Sequence, residues 1–71
     1  MSPIAQLSGT DGNIFAIIGL TNRYLKKAIR DGNFTKEGLD KFNGSIHSSG
    51  SYDEALSSCM SVLEEAGYEV A

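Results

Sequence analysis

Apolar and polar positions along this 71-residue chain alternate with a helical period in three stretches, bracketed by two short extended ones. Between Ile14 and Arg30, residues Ile14, Ile17, Ile18, Leu25, Ala28 and Ile29 gather on one side at about 100° per residue, as in an amphipathic helix. Asn13 stands where an N-cap belongs, its side chain able to accept a bond from a free backbone N–H of the first turn. Gly32, after Asp31, supplies the C-terminal stop. A second helix opens at Thr35, with Phe34 and Leu39 at the spacing of a hydrophobic staple. Its apolar stripe is narrow: Leu39, Phe42 and Ile46. Gly38 and Gly44 each cost about 1 kcal/mol relative to alanine, so this helix depends on tertiary contacts.

Residues 45–51, "SIHSSGS", read as a turn. A third helix follows, announced by the Ser51/Glu54 capping box, with Asp53 favourable to the helix dipole. Ala55, Leu56, Cys59, Met60, Val62 and Leu63 give it a wide apolar face, and Gly67 ends it. Residues 3–8, "PIAQLS", suit an edge strand with Pro3 at its start, and the terminal "YEVA" suits another. The pattern predicts one α+β domain over residues 1–71: a small three-helix domain with two short terminal strands, β-α-α-α-β. The strands are expected to pair and close over a helical core in which Ile18, Leu25, Phe42, Leu56, Met60 and Leu63 are buried together.

Size changes this picture. A chain so short buries only about 60% of its unfolded surface, and such domains often need a staple. A single cysteine excludes a disulfide within the chain, and one Cys with one His falls short of tetrahedral zinc. No metal or cofactor is therefore expected. Self-association remains, so a homo-oligomer is expected, most simply a two-fold dimer. The lone thiol and the lack of a leader point to a reducing, cytoplasmic setting. No apolar run approaches the roughly 20 residues that span a bilayer, so no membrane partner is expected.

Charge is unevenly placed. The net charge is −3, yet Arg23, Lys26, Lys27 and Arg30 put +4 into eight residues without an acid, leaving −7 elsewhere. They fall opposite the apolar stripe of the first helix, with Ala16 and Gly19 on the flank nearby. Such a strip is either a solvated face or a contact for something anionic: a nucleotide, a nucleic-acid backbone, or the acidic third helix of another copy. The acidic balance of the whole chain argues against a general nucleic-acid binder.

The turn "SGTDGN", residues 8–13, is the other candidate. Glycines before a helix gather free N–H groups and a positive dipole end, which is how helices hold anions. Thr10, Asp11, Gly12 and Asn13 are thus candidate binding residues beside the basic strip. The turn has no P-loop lysine and does not match G-x-G-x-x-G, and Asp11 repels an anion. Turn chemistry accounts for it, with Gly12 taking a positive φ and Asn13 capping the helix. Cys59 lies on an apolar helix face, His47 in a serine-rich turn, and neither has an orienting third group. Asp53 with Glu54, and Glu64 with Glu65, are neighbours that diverge on a helix. No catalytic set is present, and no enzyme is expected.

The stretch "SGTDGNIFAIIGLTNRYLKKA" resembles the start of a family of small, mostly uncharacterised proteins from bacterial, prophage and phage genomes. The likeness resumes at "SSGSYDEAL", residues 48–56, with Thr10, Asp11, Gly12, Asn13, Ser49, Gly50, Tyr52, Asp53 and Leu56 as its matching points. It departs in the second helix, at Gly38 and Gly44. The resemblance implies a fold and a genomic habitat and brings no activity, cofactor or catalytic residue. With that habitat, the expected function is a non-enzymatic binding protein, phage- or mobile-element-encoded, that blocks or sequesters a host component, such as a counter-defence inhibitor. Its partner would be a host protein or a small anionic ligand. The alternative is a nucleotide or nucleic-acid binder using the basic strip and the Thr10–Asn13 turn.

Overall fold

The computed structural model describes residues 3–7, 13–48 and 50–71. Five elements follow in order: β1 (Ile4–Ala5), α1 (Ile14–Arg30), α2 (Lys36–Ile46), α3 (Tyr52–Glu65) and β2 (Glu69–Val70). This is the β-α-α-α-β order that the apolar pattern predicts. The second helix runs two residues further than expected, so the turn begins at His47 rather than at Ser45.

Each helix is bounded by local chemistry. Asn13 Oδ1 accepts from the Phe15 N–H at 2.9 Å, Thr35 Oγ1 from that of Gly38 at 3.1 Å, and Ser51 Oγ from that of Glu54 at 3.3 Å. The returning arm of the Ser51/Glu54 box goes one residue further back than usual, with Glu54 Oε2 accepting from Gly50 N–H at 2.9 Å. Two helices end in Schellman turns. After α1, Gly32 N–H donates to Ile29 and Asn33 N–H to Ala28; after α3, Gly67 N–H donates to Glu64 and Tyr68 N–H to Leu63. Gly32 and Gly67 take φ of +81° and +90° to make these turns, a region costly for any residue with a Cβ.

The strands pair in parallel, Ile4 opposite Glu69 and Ala5 opposite Val70. Glu69 N–H donates to Pro3 and Ala71 N–H to Ala5, while Leu7 N–H returns to Ala71. Tyrosines weld this pair to α1. The rings of Tyr24 and Tyr68 meet edge to face, 5.2 Å between centroids. Tyr68 donates its hydroxyl proton to the Tyr24 carbonyl at 2.9 Å, and Tyr24 Oη accepts from Gln6 N–H at 3.3 Å. An asparagine pair ties α2 to α1: Asn43 Nδ2 donates to Asn22 Oδ1 at 2.9 Å.

Leu25, Leu63, Cys59 and Thr21 are the largest fully buried side chains. Three expectations about the core need correction. Met60 is 40% exposed, and Ile18 and Leu56 are only partly buried against the core. Met60 stands about 100° round α3 from Cys59, the middle of its buried arc, further than this small fold reaches. Thr21 takes the place in α1 that the apolar pattern left empty. It is 0% exposed, and its hydroxyl donates to the Ile17 carbonyl at 2.8 Å, which satisfies the buried donor.

Candidate functional site

Asn13 starts α1, and the core fixes its rotation. Ile17, Thr21, Leu25 and Ala28 are buried, so the opposite arc is turned away from the molecule. Within about 60° of the line opposite Thr21 lie Phe15, Ala16, Gly19, Arg23, Lys26, Lys27 and Arg30, at the helical 100° per residue. All seven are exposed. The structure therefore gathers the four predicted cations on one face, together with the two small residues beside them. Among the described residues none of these cations forms an ion pair or a side-chain hydrogen bond.

Phe15 was not foreseen. It is 76% exposed, the most exposed large apolar side chain of the described residues. Helical spacing sets it outside the apolar stripe, away from the partly buried Ile14 and the buried Ile17, although its apolar side chain gives no reason to expect exposure. It lies two turns, about 12 Å, N-terminal to Arg23, with Gly19 between them.

Part of the basic strip has a structural use. Lys27 and Arg30 occupy the last turn of α1, where a cation is worth about 0.3–1 kcal/mol against the helix dipole. That account does not extend to Arg23 and Lys26, which stand further back. It says nothing of Phe15.

Of the turn candidates, Asn13 is the helix cap described above. Thr10, Asp11 and Gly12 lie outside the described residues. His47 caps the C-terminus of α2 and is exposed, whereas Cys59 is 0% exposed on α3; they are not brought together. Burial pushes the Cys59 thiol above its ordinary range, opposed by a hydrogen bond with Thr21, so it is the reverse of an activated nucleophile. No group of three or more metal-binding side chains is present among the described residues, and none of their helices is long and apolar enough to cross a membrane.

Two surface clefts are lined by described residues. One, about 430 Å³, lies where the start of α1, the end of α2 and the start of α3 meet, lined by Ile14, Phe15, Ile18, Ile46, Tyr52 and Ala55, so that Phe15 stands at its edge. The other, about 630 Å³, runs between α2 and α3 past Phe34, Lys41, Ser58 and Glu65. Neither gathers buried polar groups around a common point, as a small-molecule site does. Comparison of the chain with protein-family models, curated proteins and solved structures finds no match.

Proposed function

We propose that this chain is a non-enzymatic binding protein whose contact surface is the outward face of α1. The observation that carries this reading is the exposed Phe15 on the same face as four cations that are unpaired among the described residues. Exposed phenylalanine and arginine on one face match the composition of protein interfaces, at whose hot spots arginine is enriched. Ala16 and Gly19, lying between, allow a partner backbone to approach closely. The partner chemistry that fits is an acidic protein surface with an apolar patch at one end. On this reading the protein acts stoichiometrically, blocking or sequestering a host component, and is encoded by a phage or mobile element. It works as a homo-oligomer in the cytoplasm. The likeness to phage and prophage proteins supports the habitat by analogy alone.

A nucleic-acid or nucleotide contact draws on the same cations, and a base could stack on Phe15, but the overall charge of −3 opposes it. Phosphate contacts weaken linearly in log salt by almost one unit for each phosphate neutralised. A contact anchored by Phe15 holds part of its affinity at high salt.

The test is retention of partners from a host extract on immobilised protein, comparing wild type with Arg23→Glu and with Lys36→Glu. Lys36 lies on α2 and undergoes the same charge change. Arg23→Glu is expected to lose the retained partner with a melting temperature within a few degrees of wild type, as exposed substitutions usually show. Lys36→Glu is expected to keep it. Equal retention by all three would contradict the proposal.

A further inference from the structure

We infer that the outward face of α1 docks on the outward face of α3 of a second copy of this chain, joining copies head to tail. The inference rests on the reading of α1 as a contact surface and names an acidic surface that it meets. Three observations carry it.

First, the charges are sorted by helix. α1 holds Arg23, Lys26, Lys27 and Arg30 without an acid, and α3 holds Asp53, Glu54, Glu64 and Glu65 without a base. Between them, α2 carries two of each sign. A solvated helix ordinarily mixes signs so that residues four apart attract. Neither α1 nor α3 can do this, and all eight side chains are exposed.

Second, the two faces match in extent and in kind. The helices run 17 and 14 residues, about 25 and 21 Å at 1.5 Å per residue. Phe15 adds an exposed apolar group to one. Met60, on the flank that carries Asp53 and Glu64, adds one to the other.

Third, the two faces point in opposite directions. Thr21, at the middle of the buried arc of α1, lies beside Cys59, at the middle of that of α3, and both are fully buried. The outward arcs are therefore on opposite sides of the molecule. A two-fold dimer uses one patch on both copies. Here each copy offers a basic face on one side and an acidic face on the other, so the contact is heterologous and generates a ring or an open chain. Exposed ion pairs contribute little singly, so the assembly is weak and salt-sensitive.

The experiment pairs two variants of the full chain in sedimentation velocity at low salt. Arg23→Glu/Lys26→Glu reverses the α1 face and leaves Lys27 and Arg30 to serve the helix end. Glu64→Lys/Glu65→Lys reverses part of the α3 face, at a helix C-terminus where cations favour the fold. Melting curves confirm that each is folded. Wild type is expected to form species larger than a dimer, growing with concentration. These are expected to dissociate as the Debye length falls from about 10 Å at 0.1 M salt to about 3 Å at 1 M. Each variant alone is expected to stay monomeric, and an equimolar mixture to associate again. A monomeric wild type, a dimer that grows no further, or a mixture that stays monomeric would overturn the inference. If the mixture fails while Arg23→Glu still loses a partner retained from extract, the α1 face stands as a contact surface and its self-recognition does not.

Discussion

Cys59 and Tyr68 show how much the interior controls single groups. Burial pushes the Cys59 thiol above its ordinary value of 9.0. It does the same to the Tyr68 hydroxyl, from 10.0, with the charges of Asp31 and Tyr24 adding to the effect. Both groups are held protonated more firmly in the folded chain than in the unfolded one. Their contribution to stability is complete below the unfolded values and is lost as pH rises through the folded ones. Stability should accordingly be flat from neutral pH to about pH 8, roughly a unit below the ordinary thiol value, and fall beyond it. Melting curves taken across that range check this, and the fall should begin later in Cys59→Ala. A fall already under way at neutral pH would show that another group governs alkaline unfolding. Thr21, the partner of Cys59, was illegible in the sequence because its burial depends on a back-bond to Ile17 that hydropathy does not record. Phe15 was legible and passed over, since the spacing that sets the cations outward sets this apolar side chain off the buried stripe as well.

At the scale of the element, most of the fold was legible, because caps and stops are local. Asn13, Thr35 and Ser51 start their helices as their side chains dictate, and Gly32 and Gly67 end two of them. What was not legible is tertiary: the parallel sense of the strand pair, and the coverage of α3 that leaves Met60 in the open. The glycines of α2 give this a measurable form. A Cβ at Gly44 meets nothing within 4 Å, whereas one at Gly38 would stand 2.8 Å from Cζ of Phe34. Either alanine gains about 1 kcal/mol of helix propensity, but at Gly38 the ring must leave its place against the core, at a cost of similar size. Gly44→Ala should raise the melting temperature by about 4–8 °C, and Gly38→Ala should leave it unchanged or lower it. Equal gains at the two positions would mean that Phe34 does not hold the start of α2.

For the whole molecule, the decisive feature is the segregation of charge: a basic α1 and an acidic α3 turned away from one another across a small core. The four cations were legible as a strip, because helical spacing alone sets them opposite the apolar side. That they would stand free of partners among the described residues, and that the Phe15 ring would be left 76% exposed, required the fold. The four lysines of the chain make this surface directly measurable, since Lys26 and Lys27 lie on α1 and Lys36 and Lys41 on α2. The measurement is the acetylation rate of each lysine by mass spectrometry, in concentrated protein at low salt and again with a partner retained from host extract, against dilute protein at high salt. It needs no substitution, so no variant can mislead by unfolding. Protection of Lys26 and Lys27, with Lys36 and Lys41 reacting at their dilute rates, is the predicted result. Protection of the α2 lysines instead, or of none of the four in either state, would contradict the claim that this protein acts through the outward face of α1.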